Sequence, residues 1–213
     1  MSQPVKRRAY DNSRRQSASQ ERRATILAAA RELFVEHGYL GTTMTAIAER
    51  SGVSLDTVYE LVGRKPGLFR LLVETAISGG DQEVPAEQRD YVRAIHAEPT
   101  AAGKLTRYAN ALPAIHSRLA PLLLVVQAAA SVEPDLAELW FEIGERRAEN
   151  MRRMAIELDA TGELAVSVDE TADVLWATNS PEVYLLLVHR RGWSDDRYRR
   201  WLAASWQRLL LSG

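Results

Sequence analysis

Residues 43–68 read TMTAIAERSGVSLDTVYELVGRKPGL, and this stretch decides the fold of the first part of the chain. Apolar residues recur at helical spacing in its first third, where Thr43 is placed to cap the start of a helix. Gly52 permits the positive φ that a sharp reversal needs, and Ser54 is placed to cap a second helix. Two short helices joined by such a tight turn predict a helix-turn-helix.

The sequence on both sides of this stretch supports the same interpretation. Upstream, RRATILAAARELFVEHGYLGTT places its apolar residues on one face of a helix that is predicted to end at Gly38. Downstream, Tyr59 lies in the second helix, and the run GRKPGLF follows it at 63–69. From Arg22 to about Thr75 the chain therefore resembles the DNA-binding domain of the TetR family of bacterial transcriptional regulators.

The resemblance implies an all-α protein with an N-terminal three-helix helix-turn-helix domain, followed by a larger helical ligand-binding and dimerisation bundle. We expect a basic, disordered N-terminal arm over 1–20, a DNA-binding domain over 21–66 and a regulatory and dimerisation domain over 67–213. The resemblance further implies a homodimer that binds an inverted repeat in double-stranded DNA. Such a protein is typically a repressor that an unidentified small-molecule effector releases from its operator. Val62, where the family usually carries Phe, and Pro66, in place of a common acidic residue, depart from the family pattern.

The expected DNA contacts come from both ends of the two short helices. The first helix needs a hydroxyl or amide at a phosphate, and the start of the second is predicted to enter the major groove. Arg22 and Arg23 belong to a basic N-terminal region, since residues 1–80 carry twelve Lys or Arg against eight Asp or Glu. A disordered, merely solubilising arm explains residues 1–18 equally well. The predicted DNA-binding residues are Thr42, Thr43, Ser54, Leu55, Thr57, Tyr59, Lys65, Arg22 and Arg23.

Beyond residue 78, SGGDQEVP reads as a linker at 78–85, and the rest of the chain reads as helices without strand patterns. Pro113 is expected to kink or divide a helix, and Pro121 to begin one. Helices are predicted near 87–97, 101–117, 119–131, 134–159, 168–178, 180–190 and 195–211.

The apolar run from Leu119 to Ala130 belongs in the middle of a helical bundle, where it either packs as plain core or lines a ligand cavity. The ligand-binding candidates are His116, Gln127, Trp140 and Trp176, each of which a core role explains as well. His96 and His116 are too far apart in sequence, with no third ligand nearby, to predict a metal site. No cofactor is predicted.

The last two helical segments are amphipathic and rich in aromatic residues. The resemblance implies that two late helices of each subunit form a four-helix dimer interface, and aromatic residues favour interfaces. Packing within one subunit is the alternative, which periodicity does not distinguish. The predicted interface residues are Tyr184, Leu185, Val188, Trp201, Trp206 and Leu209.

Other classes of protein fit the sequence less well. No phosphate-binding loop, nucleophile elbow or paired His and carboxylate motif is present, so an enzyme is not expected. An all-helical interaction module that keeps the helix-turn-helix as a scaffold leaves the basic region unexplained. The polar N-terminus lacks the apolar stretch of a signal peptide, and no run approaches the roughly 18 apolar residues of a bilayer span. We therefore expect a cytoplasmic protein without a membrane partner.

Overall fold

The computed structural model describes residues 6–79 and 84–212, and ten α-helices make up the described fold. A 3₁₀ turn at Ala86–Gln88 and a π-helical segment at Leu185–Arg190 supplement them. The helices are α1 Lys6–Gly41, α2 Met44–Ser51, α3 Leu55–Val62, α4 Lys65–Ser78, α5 Asp90–His96, α6 Ala101–Ala129, α7 Pro134–Asp159, α8 Val168–Thr178, α9 Pro181–Tyr184 and α10 Asp195–Leu210.

The all-α prediction is confirmed, since the described residues form no strand and only one isolated bridge, between Leu164 and Leu211. The chain divides into two compact units, Met1–Val73 and Glu74–Gly213, with the division inside α4. The expected boundary at 66 and 67 thus falls earlier than the division by contacts. Of the predicted linker at 78–85, residues 80–83 lie outside the described residues.

The first unit has an aromatic core that holds α1 against α4. The Phe34 ring stacks on Tyr39 at 5.7 Å and meets Phe69 edge to face at 4.8 Å. Gly38, with φ 71°, breaks the helical path inside α1, so the predicted end of the helix coincides with a kink. One further short turn continues to Gly41.

The prediction of a disordered arm over 1–20 differs from the structure, in which α1 is already helical at Lys6. Residues 6–37 contain neither proline nor glycine, so nothing in the sequence interrupts a helix that the core-facing residues of α1 stabilise. Residues 1–5 of the predicted arm lie outside the described residues.

The second unit is built around α6, which α5, α7, α9 and α10 contact. The prediction that Pro113 and Pro121 divide this region is wrong, because both lie inside one helix of 29 residues. Packing on several sides compensates for the missing backbone bonds. Its length and composition would also suffice for a membrane span, contrary to the sequence-based expectation. However, 61% of the qualifying window is buried, as expected of a core helix.

Two of the predicted interface residues belong to the core of the second unit. Trp206 on α10 is fully buried, stacks on Tyr108 at 5.6 Å and donates a hydrogen bond from Nε1 to Thr178 Oγ1 at 2.7 Å. Tyr184 is buried and donates to Asp195 Oδ1 at 3.1 Å. Both side chains are therefore saturated with contacts inside their own subunit. The remaining predicted interface residues are half-buried or exposed: Leu185, Val188, Trp201 and Leu209.

Candidate functional site

The caps of α2 and α3 fix the candidate DNA-binding surface in the first unit. Thr43 Oγ1 accepts a hydrogen bond from Ala46 N at 3.1 Å, and Ser54 Oγ accepts one from Thr57 N at 3.3 Å. Gly52 adopts φ 68° between the two helices, as the reversal requires. The hydroxyls of Ser54 and Thr57 lie 2.8 Å apart, so two small polar groups meet at the start of α3.

A groove runs beside the C-terminal end of α3. Tyr59, Arg64 and Lys65 line it together with Met44 and Pro66. Tyr59 is 45% exposed, and Arg64 is exposed as well. The Lys65 ammonium lies 4.1 Å from the ring centre of Tyr39, which positions the charge at the start of α4. The groove therefore places a phenol and two cations side by side, which suits phosphate oxygens.

Thr42 does not belong to this surface. It is only 1% exposed, and its hydroxyl donates inward to Gly38 O at 2.8 Å and Leu33 O at 3.0 Å. The side chain closes the turn after the kink in α1, because a buried hydroxyl must satisfy its hydrogen bonds within the protein. Thr43 is exposed and remains the available hydroxyl at the start of α2.

The other predicted DNA contacts occupy more varied environments. Leu55 and Arg23 are half-buried, and Arg22 is exposed on α1. Arg64 was absent from the sequence-based prediction, although two consecutive basic residues directly after the recognition helix were a usable signal.

The second unit encloses a cavity of about 570 Å³, within the usual range for small-molecule sites. Its apolar lining comes from α6 and α7 and includes Leu112, Ile115, Leu119, Ile143, Met151 and Met154.

A hydrogen-bonded chain of side chains lies on the cavity wall. Asn179 Nδ2 donates to Tyr108 Oη, and Asn179 Oδ1 lies 2.9 Å from His116 Nε2. The amide oxygen can only accept, so His116 Nε2 carries the hydrogen in this arrangement. His116 Nδ1 is then a bare acceptor, and it has no hydrogen-bond partner among the described residues.

Arg147 joins the same chain from α7. Its Nη2 donates to the backbone carbonyls of Asn179 at 2.6 Å and Trp176 at 3.0 Å, so it fixes the end of α8. Its guanidinium also lies 5.5 Å from the ring of Trp176. These partners are neutral, and burial lowers the pKa of Arg147.

Burial also determines the protonation of the other members. Desolvation lowers the pKa of His116 to about 4, with a smaller effect of the nearby Arg147 charge, although the bond to Asn179 opposes this. His116 is therefore neutral at pH 7. Desolvation raises the pKa of Tyr108, which thus remains a phenol.

Ion pairs occupy the more open parts of the cavity. Arg146 pairs with Glu74 at 2.7 Å, and Glu157 pairs with Lys104 at 2.5 Å and with His96 at 2.8 Å. Burial alone would raise the pKa of Glu157, but the hydrogen bonds from Lys104 and His96 outweigh it and lower the pKa. Both cavity carboxylates are thus already neutralised by protein cations.

Only one of the four predicted ligand-binding residues lines this cavity, namely His116. Gln127 is exposed on α6, and the cavity lining includes neither Trp140 nor Trp176. Helical spacing identified the apolar run correctly but not which side of α6 faces the cavity. Sequence reasoning missed Tyr108, Arg147 and Asn179, because their meeting depends on three helices. Within the described parts of the chain, no group of three potential ligands could hold a metal ion.

Comparison with known proteins gives the first unit a family. Residues 26–70 match the profile described as bacterial regulatory proteins, tetR family. Over 68 residues, the chain is 35% identical to the HTH-type transcriptional regulator HbdR of Aromatoleum sp. (strain CIB). That match covers 32% of this chain and 30% of the relative's length, so the likeness is confined to less than a third of HbdR.

Solved structures resemble nearly the whole chain in fold. NalD of Pseudomonas aeruginosa, the secondary repressor of the MexAB-OprM multidrug efflux pump, has a TM-score of 0.68 at 20% identity, covering 92% of this chain and 98% of NalD. A putative transcriptional regulator of Saccharomonospora viridis in complex with choline has a TM-score of 0.66 at 20% identity, with 91% and 99% covered. The fold over both units, and the sequence of the first, agree. The chain belongs to the TetR family of bacterial transcriptional regulators.

Proposed function

We propose that this protein is a homodimeric, sequence-specific DNA-binding repressor that a small molecule in the second unit releases from an inverted-repeat operator. The observation that carries the proposal is the surface at the start of α3, with the groove of Tyr59, Arg64 and Lys65 beside it. This surface lies within the segment that matches the family profile. The proposal assigns no catalytic reaction to the chain.

The chemistry of the DNA surface supports a division of labour. The hydroxyls of Ser54 and Thr57 and the methyl groups of Leu55 are short enough to meet base edges when the start of α3 enters the major groove. Tyr59, Arg64 and Lys65 are suited to phosphates, which fix register without reading sequence. Thr43 supplies a further hydroxyl at the start of α2. Arg22 and Arg23 add positive charge on α1.

The cavity supports control by a ligand. Its volume of about 570 Å³ and its mixture of apolar wall and buried polar groups suit a small organic molecule. The similar regulator of Saccharomonospora viridis is a complex with choline, which supports small-molecule binding in this fold class. In this proposal, a ligand that binds better to the DNA-incompetent conformation shifts the population towards it.

A DNA-binding regulator acts where the chromosome is, so the proposal includes a cytoplasmic location. The alternative, an all-helical interaction module with the helix-turn-helix as a scaffold, leaves the exposed polar surface of α3 and its adjoining cations without a role.

The proposal is tested by selecting genomic fragments with purified full-length protein at moderate salt. The expected result is a palindromic site whose half-sites lie about one helical turn apart, bound by one or more dimers in sedimentation experiments. Binding that depends on salt but not on sequence, with and without candidate ligands, would instead support the interaction module.

On the selected operator, Tyr59→Ala is expected to weaken binding about tenfold or more, because each half-site loses a hydrogen-bonding contact. Lys65→Ala should also reduce the salt dependence by about one unit of slope per half-site. Fluorescence anisotropy across a salt series measures both. Phe141→Ala is the control, since this aromatic residue is 67% exposed on α7 in the second unit. Unchanged affinity of both variants would remove these residues from the DNA interface.

The dimer is expected to depend on the exposed side of α10 and not on its buried side. Leu209 is 55% exposed, so Leu209→Glu leaves the subunit core intact. If Leu209 lies in the interface, burying its charge should raise the dimer dissociation constant at least about a hundredfold. Sedimentation velocity measures this, with Val132→Glu, at a residue 62% exposed, as the control. A Leu209→Glu variant that stays dimeric would place the interface elsewhere.

A further inference from the structure

We infer that the cavity of the second unit takes an organic acid that has an apolar body and a hydroxyl group close to its carboxylate. Arg147 receives the carboxylate, His116 Nδ1 accepts the hydroxyl hydrogen, and the apolar wall covers the body. The inference deepens the proposed function, on which it rests for calling this molecule the effector. Three features of the cavity support it.

The first feature is the charge left over on the cavity wall. Arg146 and Glu157 are matched by ion pairs with Glu74 and with Lys104, respectively. Arg147, in contrast, donates only to backbone carbonyls through Nη2, while its Nε and Nη1 form no hydrogen bond among the described residues. Glu182 attracts it only at longer range. A guanidinium with free donors and no paired carboxylate suits a carboxylate, which it binds in a two-pronged geometry.

The second feature is the unsatisfied acceptor on His116. This side chain is 3% exposed and lines the cavity, and its Nδ1 has no partner among the described residues. A buried acceptor without a partner is costly, so a ligand that offers a hydrogen there gains affinity. A carboxylate has no hydrogen to give and would face the nitrogen lone pair. A hydroxyl group satisfies it.

The third feature is the short separation between the two groups. Arg147 bonds the backbone carbonyl of Asn179 at 2.6 Å, and His116 bonds the side-chain oxygen of the same residue at 2.9 Å. Both recognition groups are therefore anchored to one residue, so the ligand's carboxylate and hydroxyl must also be near neighbours. A 2-hydroxy or 3-hydroxy acid meets this requirement, whereas an acid with its hydroxyl at the far end of a long tail does not.

The apolar wall accounts for the rest of the molecule. Ile115 and Leu119 on α6 and Met151 and Met154 on α7 line the cavity with aliphatic and thioether groups. Methionine side chains adapt to irregular shapes, so the wall suits a flexible or aromatic body equally.

The test uses four matched probes on the wild-type full-length protein in the absence of DNA: 2-hydroxyoctanoate, octanoate, 2-hydroxyoctanamide and octanamide. Isothermal titration calorimetry is expected to show 2-hydroxyoctanoate binding at least about tenfold more tightly than its amide, because charge-assisted bonds are the stronger ones. It should also bind about fivefold more tightly than octanoate. Equal affinity of acid and amide, equal affinity with and without the hydroxyl, or no binding of any probe up to millimolar concentration overturns the inference.

Two variants assign these preferences to their residues. Arg147→Met should abolish the preference for acid over amide, and Arg147→Lys should retain part of it. His116→Gln keeps an N–H for Asn179 but removes the Nδ1 acceptor, so the preference for the hydroxyl should disappear. Arg152→Met is the control, because Arg152 pairs with Asp169 and does not line the cavity.

Thermal melting of each free variant identifies any that fails to fold, and ratios between probes remain meaningful where affinity is generally reduced. If the variants keep the wild-type ratios, Arg147 and His116 do not recognise the ligand, and the inference is overturned. Because the titrations contain no DNA, such a result is separate from a failure to find an operator.

Discussion

Trp206→Ala is expected to lower the free energy of unfolding of the second unit by about 3–5 kcal/mol, the range for truncating a large buried aromatic side chain. Trp206 is fully buried, and its indole stacks on Tyr108 and hydrogen-bonds Thr178. The substitution removes the ring and leaves a cavity between α6, α8 and α10. Chemical denaturation followed by far-UV circular dichroism measures the change.

The concentration dependence of this unfolding separates a core role from an interface role. If Trp206 stabilises the subunit core, the loss persists at every protein concentration. If it acts mainly between subunits, the variant remains folded as a monomer, and sedimentation shows dissociation without unfolding. Trp176→Ala is the matched control, since this ring is 42% exposed, and we expect it to cost about 1 kcal/mol or less.

Acidification from pH 7 to about pH 4.5 is expected to remove about 2–3 kcal/mol of stability through His116 alone. The pKa of His116 falls from 6.5 to about 4 in the folded protein, mainly because burial disfavours the charged ring. Between these two values the unfolded chain binds the proton more readily than the folded chain. The contribution is therefore fully present above pH 6.5 and is lost as the pH falls towards 4.

The matched variant is His116→Gln, which preserves the hydrogen bond to Asn179 but does not titrate. Urea unfolding at several pH values should give a wild-type curve that falls more steeply than that of the variant, since the carboxylates are common to both. Parallel curves would mean that His116 is protonated equally easily in the folded and unfolded states.

Local signals in the sequence were sufficient for much of the fold. The predicted helix at 134–159 and the one at 168–178 have the bounds of α7 and α8, because Pro134 begins the first and Ser167 caps the second. The caps at Thr43 and Ser54 were likewise predicted from residues within three positions of their partners. Such features depend on the chain immediately around them.

Features that depend on distant parts of the chain were missed. His116 and Asn179 are 63 positions apart, and nothing in the spacing of either residue indicates that they meet. Trp206 has the amphipathic pattern of an interface residue, yet Tyr108 from another helix covers it. Thr42 and Thr43 are neighbours of the same type, but only the fold shows that one hydroxyl points inward.

The uninterrupted course of α6 has a consequence for how ligand preference changes during evolution. Proline has no amide hydrogen, so the carbonyls of Ala109 and Ser117 lack their usual helical donors at Pro113 and Pro121. His116 lies between these two gaps, in the part of α6 with the weakest backbone ladder. A helix bends most readily at such points. Substitutions that enlarge or reshape the cavity can therefore be accommodated by small bends near His116, while the flanking turns keep the bundle together, so that new effectors become accessible without a new fold.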